Sequence, residues 1–288
     1  MVEDKDLRKA KDYTQGQKEA AYAILGEIAN LMKPFADDVR IIGGWVPTLL
    51  FPELDHIGSI DVDVLINQQR IIRKDQYSTI KELLDQNGYH RHSDPHKYFS
   101  YVKTVIIDNN PYEVEVDFLS GKYGGEDGST SKHVDGIKAL PATGGNFAFD
   151  FKAKDVKINY RRPDGALDSG HVKVVSVVPY LVMKTEAMGR GKPKDAYDIY
   201  FCLASWPEGI NALADMFVPY KGHKLIQNMV IKLYEKFHSP DHAGPTDIVN
   251  FMDLSDEEEI DRIRQDAYQR VRLLIDTIGI VDRSTSVL

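Results

Sequence analysis

The segment Ser59-Ile-Asp-Val-Asp-Val-Leu-Ile-Asn, residues 59–67, restricts the fold of this chain more than any other. Its side chains alternate between two faces, because successive residues of a strand point to opposite sides of the backbone. One face carries only β-branched apolar side chains and the other carries two carboxylates: Ile60, Val62, Val64 and Ile66 against Asp61, Asp63 and Leu65. Such a strand predicts a sheet with a helix packed on its apolar face.

Patterns elsewhere in the first half of the chain predict the partners of this strand. Thr14 and Gln17 have the spacing of a capping box, which begins a predicted helix over residues 14–33. The run Val39–Ile42 predicts another strand, and two alternating segments predict a hairpin over 99–107 and 112–119. The remaining predictions are a helix at 73–87, a Gly-, Ser- and Thr-rich loop at 120–145, and strands at 147–160 and 171–177.

The second half of the chain is predicted to be helical from Pro179 onward, because apolar residues recur there at helical spacing. The predicted helices are 179–189, 193–205, 207–216, 222–237 and 256–278. We therefore expect an α/β protein, more narrowly an α+β protein. A small mixed-sheet core in residues 1–177 is followed by a helical domain in residues 178–288.

The composition narrows the expected location and partners. The 288 residues carry a formal net charge of -8, so a nucleic-acid phosphate backbone would repel the molecule as a whole, and any contact would be local. No apolar run reaches the roughly 18 residues that suggest a membrane span, and the charged N-terminus lacks the apolar core of a secretory signal. The single cysteine, Cys202, cannot form an internal disulfide. We expect a cytoplasmic protein without a membrane partner.

The carboxylates of Asp61 and Asp63 indicate a cation site. Residues i and i+2 of a strand lie on one face, roughly 6.6–7 Å apart, where like charges repel unless a cation lies between them. Magnesium is commonly held by one or two carboxylates together with substrate phosphates. Asp117, on the polar face of the second hairpin strand, would add a third carboxylate. The simpler interpretation is that both strands have a solvated polar face.

Two further features fit a phosphate ligand. Gly43-Gly44 follows a strand and precedes a short helical segment at Trp45, so the backbone there can approach a ligand closely. Four cations are also grouped within a short span of an acidic chain: Lys184, Arg190, Lys192 and Lys194. Cations there could hold a triphosphate. The simpler interpretations are an ordinary turn and a solvated helix surface.

Ile42-Gly43-Gly44, Asp61-Val62-Asp63 and Asp117 together resemble the motif of the nucleotidyltransferase superfamily, which has a polymerase-beta-like core. Lys184 and the later Lys194-Asp195-x-x-Asp198 are similar to the second-half pattern of AbiEii-type abortive-infection toxin nucleotidyltransferases. The resemblance implies that residues 1–177 form the catalytic domain. The implied catalytic residues are Asp61, Asp63, Asp117, Lys184 and Asp198; the implied metal ligands are Asp61, Asp63 and Asp117; the implied nucleotide contacts are Gly43, Gly44, Trp45, Ser59, Lys184 and Arg190.

The resemblance also implies an activity. A toxin-like enzyme of a toxin–antitoxin or phage-defence system would use two Mg²⁺ ions to move a nucleoside monophosphate from a nucleoside triphosphate (NTP) to an acceptor hydroxyl. RNA, and tRNA in particular, is the expected acceptor, and an antitoxin protein is a possible partner. A basic stretch that includes Arg161 and Arg162 would contact the RNA backbone, and Tyr160 would stack on a base. The simpler interpretation of that stretch is a hairpin with a charged solvent face.

Two alternatives stay open at this point. A small-molecule nucleotidyltransferase, such as an antibiotic-modifying enzyme, would share the same catalytic core. A non-catalytic module that only binds nucleotides would share the fold, although the presence of all three carboxylates argues against it. Transfer of a label from the triphosphate to RNA, to a small molecule or to nothing distinguishes the three.

Overall fold

The computed structural model describes residues 9–71, 79–122, 132–162 and 164–279. These residues form two compact units. The sheet unit is Tyr13–Tyr180, and the helical unit comprises the described residues of Met1–Asp12 and Leu181–Leu288. The boundary between Tyr180 and Leu181 falls inside a helix, Val177–Ala187.

The sheet unit is built on nine strands of the described chain. Seven of them follow the spatial order β3-β4-β5-β2-β1-β9-β8, while β7 pairs with both β5 and β6. The sheet is mixed, since β2 pairs with β5 in parallel and with β1 antiparallel. The strands are β1 Val39–Ile42, β2 Val62–Ile66, β3 His90–Arg91, β4 Ser100–Ile107, β5 Asn110–Lys122, β6 Lys132–Val134, β7 Ile137–Thr143, β8 Lys154–Arg161 and β9 Leu167–Val174.

The helices of the described residues fall in both units. In the sheet unit they are α1 Gln15–Leu31, α2 Val46–Leu50, α3 Gln68–Ile71, α4 Ile80–Gln86 and α5 Gly145–Ala148. The sixth, α6 Val177–Ala187, spans the unit boundary. The helical unit continues with α7 Pro193–Ser205, α8 Gly209–Asp215, α9 Lys224–Lys236, α10 Ala243–Met252 and α11 Glu257–Ile278.

The first long helix covers one face of the sheet, and its start is explained by the sequence. Thr14 accepts a hydrogen bond from the Gln17 amide while the Gln17 side chain accepts one from the Thr14 amide, so the predicted capping box is confirmed. Ile28 of α1 and Met32, which follows the end of this helix, line a small cavity together with Val64 of β2. The apolar face of β2 therefore lies under α1, and Asp63 points to the other face.

The predicted hairpin is confirmed, with a tighter turn than the one expected. Strands β4 and β5 pair antiparallel from Ser100↔Asp117 to Ile107↔Asn110. Only Asp108 and Asn109 connect them, and both have positive φ, 48° and 62°. Positive φ at both central residues is the geometry of a type I′ turn, whose twist matches that of the flanking strands.

Several local predictions were wrong or incomplete. The predicted loop at 120–145 contains the end of β5 and strands β6 and β7, while residues 123–131 lie outside the described residues. Pairing of β7 with β5 overrides the Gly- and Ser-rich composition, because tertiary hydrogen bonds outweigh local propensity. Helix α10 was not predicted. Of the helix predicted at 73–87, Ile80–Gln86 is observed, and residues 72–78 lie outside the described residues.

The predicted fold class is confirmed: a mixed sheet is followed along the chain by helices, as in α+β proteins. Within the described residues, none of the helices has both the length and the apolarity that a membrane crossing would require.

Candidate active site

Two neighbouring strands bring two of the predicted carboxylates side by side. Asp63 of β2 is the direct register partner of Asp117 of β5 in a parallel pair. Adjacent strands lie about 4.8 Å apart, and directly paired residues point to the same face of a sheet. Asp63 and Asp117 are therefore neighbours on the face opposite α1, although 54 positions separate them in the sequence.

Asp61 lies just before β2 and is held by two contacts. Its backbone carbonyl accepts a hydrogen bond from the indole Nε1 of Trp45, at 2.8 Å. Its carboxylate Oδ1 accepts one from the Ser59 hydroxyl, at 2.5 Å. Trp45 and Ser59, which were predicted to contact nucleotide, thus hold Asp61 in this structure. Their contact with a nucleotide stays a prediction.

Gly43, the first glycine after β1, packs against the side chain of Asp63. Gly43 adopts φ +70°, and Gly43–Trp45 form a single 3₁₀ turn that leads into α2. A Cβ atom added to Gly43 would lie 1.7 Å from the Asp63 Oδ2 atom, well inside van der Waals contact. Only glycine fits here, because it lacks the Cβ atom and tolerates the left-handed backbone. The sequence predicts that the backbone of this glycine approaches a phosphate, and the structure shows it packed against the Asp63 carboxylate.

The environment of Asp117 favours its neutral form. Burial raises the pKa of Asp117 most, and the charges of Asp61 and Glu115 raise it further. A hydrogen bond from Ser100 and the charge of Lys97 act in the opposite direction, and the result is a pKa of about 7. A carboxyl group with this pKa exchanges protons readily near neutral pH. The shift therefore reflects loss of hydration first and the two neighbouring negative charges second.

These carboxylates supply the oxygen ligands that magnesium prefers, but they do not surround an ion on all sides. Among the described residues, no group of three or more His, Cys, Asp or Glu side chains is arranged to hold a metal ion by itself. Magnesium usually takes only one or two protein carboxylates and completes its shell with phosphate oxygens and water. The carboxylate pair Asp63–Asp117, with Asp61 beside it, matches this kind of open site. The direct register pairing of Asp63 with Asp117 on neighbouring strands is the observation that supports a cation.

The other predicted catalytic residues belong to the helical unit. The ammonium group of Lys184 contacts Asp195 at 2.7 Å and Asp198 at 2.8 Å, and Lys194 contacts Asp198 at 3.0 Å. Burial disfavours the charge on Lys184, but its two ion pairs outweigh burial and its pKa lies above the ordinary value. Asp198 is 0% exposed, whereas Arg190 is exposed at the end of a 3₁₀ turn. The structure therefore shows Lys184 and Asp198 within one buried ion-pair cluster.

A groove of about 1310 Å³ lies in the sheet unit. It is lined by α1, by the loop after α2, and by residues of the antiparallel pairs β4–β5 and β8–β9. Trp45 lines this groove, but Asp61, Asp63 and Asp117 do not. Arg161 and Arg162 line it as well. Tyr160 lines the groove too, but the residue is only 5% exposed, its ring packs against Gly26, and its hydroxyl bonds Asn30 and Asp168. Stacking of Tyr160 on a base stays a prediction.

Sequence reasoning missed the groups that support Asp117. Ser100, the first residue of β4, donates a hydrogen bond to the Asp117 Oδ1 atom at 2.5 Å. Lys97 contacts both carboxylate oxygens of Glu115, at 2.7 and 2.8 Å, and His92 approaches Glu115 at 3.5 Å. No motif marks these residues. Only the pairing of β4 with β5 brings them to the site, so a correct hairpin register was the one available signal.

Comparison with known proteins adds little to this description. No protein-family model matches the chain, and no curated protein matches it. Among solved structures, the crystal structure of JHP933 from Helicobacter pylori is similar to this chain. The match has 11% sequence identity and a TM-score of 0.42, and it covers 89% of this chain and 93% of that chain. A likeness this distant carries no argument, so the geometry of the site has to support the function.

Proposed function

We propose that this chain is a magnesium-dependent nucleotidyltransferase that moves a nucleoside monophosphate from an NTP to an acceptor hydroxyl. The bond between the α- and β-phosphates breaks in this reaction, and pyrophosphate is released. The observation that carries the proposal is the register pair Asp63↔Asp117, with Asp61 beside it and Gly43 closed against Asp63. Two carboxylates on one sheet face, with a third just before β2, match what phosphoryl chemistry needs from a protein. The sequence resemblance to nucleotidyltransferases supports the same activity.

Each residue of the site has a definite task in this proposal. Asp61, Asp63 and Asp117 would hold Mg²⁺, which when bound supplies positive charge to the phosphate oxygens. Asp117 also takes the proton of the acceptor hydroxyl as the bond to the α-phosphate forms and pyrophosphate leaves. The Gly43-Gly44 backbone, Trp45 and Ser59 lie beside these carboxylates and line the nucleotide position. The roles of Lys184, Arg190 and Asp198 stay predictions from the sequence resemblance.

The acceptor and setting are narrower parts of the proposal. We infer that the acceptor is RNA, with tRNA first among the candidates. The protein would act in the cytoplasm as the toxin-like member of a toxin–antitoxin or phage-defence system, with a cognate antitoxin as its protein partner. The single buried cysteine suits a reducing compartment.

The test combines a transfer assay with isosteric variants. Purified protein, Mg²⁺ and each of the four alpha-labelled triphosphates are incubated with a cell extract that contains tRNA, and label in RNA is measured. We expect the wild type to transfer label to RNA. The transfer rate should fall more than about 100-fold in Asp63→Asn and in Asp117→Asn, which is more than the loss of a residue that only orients a metal ligand costs. Glu113→Gln is the matched control, because Glu113 is an exposed carboxylate on the same strand as Asp117.

The outcomes separate the proposal from its alternatives. Equal transfer by wild type and Asp63→Asn, with both proteins folded, would contradict the assignment of the site. Label in a small molecule, with protection of cells from an antibiotic, would indicate a small-molecule nucleotidyltransferase. Magnesium-dependent nucleotide binding without transfer to any acceptor would indicate a binding module.

A further inference from the structure

Two of the three site carboxylates accept a hydrogen bond from a buried serine. The Ser59 hydroxyl lies 2.5 Å from the Asp61 Oδ1 atom, and the Ser100 hydroxyl lies 2.5 Å from the Asp117 Oδ1 atom. Ser59 is 5% exposed and Ser100 is 0% exposed. Each hydroxyl donates to a single carboxylate oxygen, so each bond restricts the rotation of its carboxylate.

The two serines reach the site by different routes. Ser59 precedes Asp61 by two residues in the loop before β2, so a local turn suffices to bring its hydroxyl to the carboxylate. Ser100 begins β4 and is the direct register partner of Asp117. A local contact and a long-range strand pairing thus produce the same hydroxyl–carboxylate arrangement on two different aspartates.

Other buried serines of the sheet unit show that such pairing is not general. The hydroxyl oxygens of Ser120 and Ser176 are buried and have no hydrogen-bond partner among the described residues. Ser120 lies on β5, three residues after Asp117, and is 0% exposed like Ser100. Burial alone therefore does not bring a serine hydroxyl to a carboxylate in this protein.

We propose that Ser59 and Ser100 are positioning residues that each bind one oxygen of a site carboxylate and turn its second oxygen toward the divalent cation. The inference rests on the proposed function, because that function supplies the cation. It assigns to Ser59 a task toward Asp61 in addition to any nucleotide contact, and it gives Ser100 a task that no sequence motif suggests. Partners that orient metal ligands in this way contribute substantially to metal affinity.

The test measures Mn²⁺ binding directly, without any need for activity. Manganese takes the same carboxylate and water ligands as magnesium. Electron paramagnetic resonance measures the free aqueous Mn²⁺, and the bound ion follows by difference. We expect Ser59→Ala and Ser100→Ala each to weaken Mn²⁺ binding about 10- to 100-fold. Ser120→Ala is the matched control, since it removes a buried hydroxyl that makes no hydrogen bond, and its Mn²⁺ affinity should equal that of the wild type.

A double-mutant cycle distinguishes positioning from a general structural effect. If Ser100 acts through Asp117, Ser100→Ala should cause no further loss of Mn²⁺ affinity in an Asp117→Asn background. The same holds for Ser59→Ala in an Asp61→Asn background. The proposal would be overturned if a serine change lowered Mn²⁺ affinity as much in its Asp→Asn background as in the wild type. Unchanged Mn²⁺ affinity in folded single serine variants would also overturn it.

The design also separates this inference from the proposed function. A wild type that binds Mn²⁺ with the expected serine dependence but transfers no nucleotide would sustain the serine roles and contradict the transferase. A folded wild type that does not bind Mn²⁺ would overturn both. Thermal unfolding identifies variants that fail to fold. If Ser100→Ala does not fold, the result for Ser59→Ala decides the inference, because Ser59 lies outside the strands.

Discussion

At the scale of single residues, the site depends on close contacts that one added atom would break. Gly43 is the clearest case, because its α-carbon faces the Asp63 carboxylate and its φ is +70°. Asp117 is sensitive in a different way, because its ionisation depends on burial and on the charges of its neighbours. Both residues allow predictions that separate effects on the site from effects on the fold.

Replacing Gly43 with alanine should disable the site by displacing a carboxylate. The new Cβ atom would collide with Asp63 Oδ2, and displacement of a reacting group by about 1 Å can cost about 100-fold in rate. Gly88→Ala is the control, since Gly88 has φ +77° with nothing within 4 Å of an added Cβ atom. Both variants should lose about 1 kcal/mol of stability from backbone strain. Only Gly43→Ala should lose Mn²⁺ binding; equal binding by the two variants would contradict this.

The Asp117 carboxyl group should make the metal-free protein less stable as the pH rises. Its pKa is raised from 3.8 to about 7 in the folded state, so the folded state binds more protons between these values than the unfolded chain. Stability from this group is therefore greatest below about pH 4, falls as the pH rises toward 7 and is level above it. Asp117→Asn removes this titration, so its stability relative to the wild type should rise over that range.

Thermal unfolding of the two proteins between pH 4 and 8 measures this difference, with Glu113→Gln as the same-strand control. Adding Mg²⁺ above pH 7 should raise the unfolding temperature of the wild type but not that of Asp117→Asn, because the cation favours the ionised carboxylate. A difference between wild type and Asp117→Asn that does not change with pH would refute the raised pKa.

At the scale of elements, the β4–β5 hairpin sets the geometry of the site. Its two-residue turn fixes the register in which Ser100 faces Asp117 and Lys97 reaches Glu115. A slip of one residue would turn Asp117 to the opposite face of the sheet, because strand side chains alternate. The turn residues Asp108 and Asn109 precede Asp117 by nine and eight positions, and they determine which side chains of β4 and β5 face each other at the site.

Replacing Asn109 should test this turn. Asn109 has φ +62°, a conformation that glycine adopts without strain, so Asn109→Gly should raise stability by up to about 1 kcal/mol. Asn109→Val should lower stability by more than that, because a β-branched residue does not tolerate positive φ. Urea unfolding of both variants measures the effect. A glycine variant less stable than the wild type would contradict the type I′ geometry.

At the scale of the whole molecule, charge limits how RNA can bind. The net charge is -8, and the groove of the sheet unit is close to electrically balanced. Its basic lining residues are Lys18, Lys157, Arg161 and Arg162, and its acidic ones are Glu19, Asp108 and Asp168. Any attraction for a phosphate backbone is therefore local and modest.

The salt dependence of RNA binding should reflect these few cations. Each phosphate contact with a single strand contributes about -0.7 to the slope of log affinity against log salt, so four contacts give no more than about -3. Arg161→Glu should weaken binding and flatten the slope, whereas Lys33→Glu, an exposed lysine that does not line this groove, should not. A far steeper slope, unaffected by Arg161→Glu, would place the RNA contact elsewhere.

The sequence by itself determined the features that depend on neighbouring residues. The capping box of Thr14 and Gln17, the strand alternation around Asp63 and the two faces of β5 follow from side-chain spacing along a short segment. The α+β class followed from the order of these segments. Local spacing also suggested the carboxylates as a group, because Asp61 and Asp63 are close in any extended chain.

Only the tertiary structure decided which distant residues meet, since strand pairing and close packing depend on the whole sheet. The register Asp63↔Asp117, the contact of Gly43 with Asp63 and the hydrogen bond from Ser100 to Asp117 all join segments far apart in the sequence. Strands β6 and β7 formed in a region of loop-like composition because β5 offered an edge to pair with. Local propensity is a small energy per residue, and long-range hydrogen bonding and burial outweigh it.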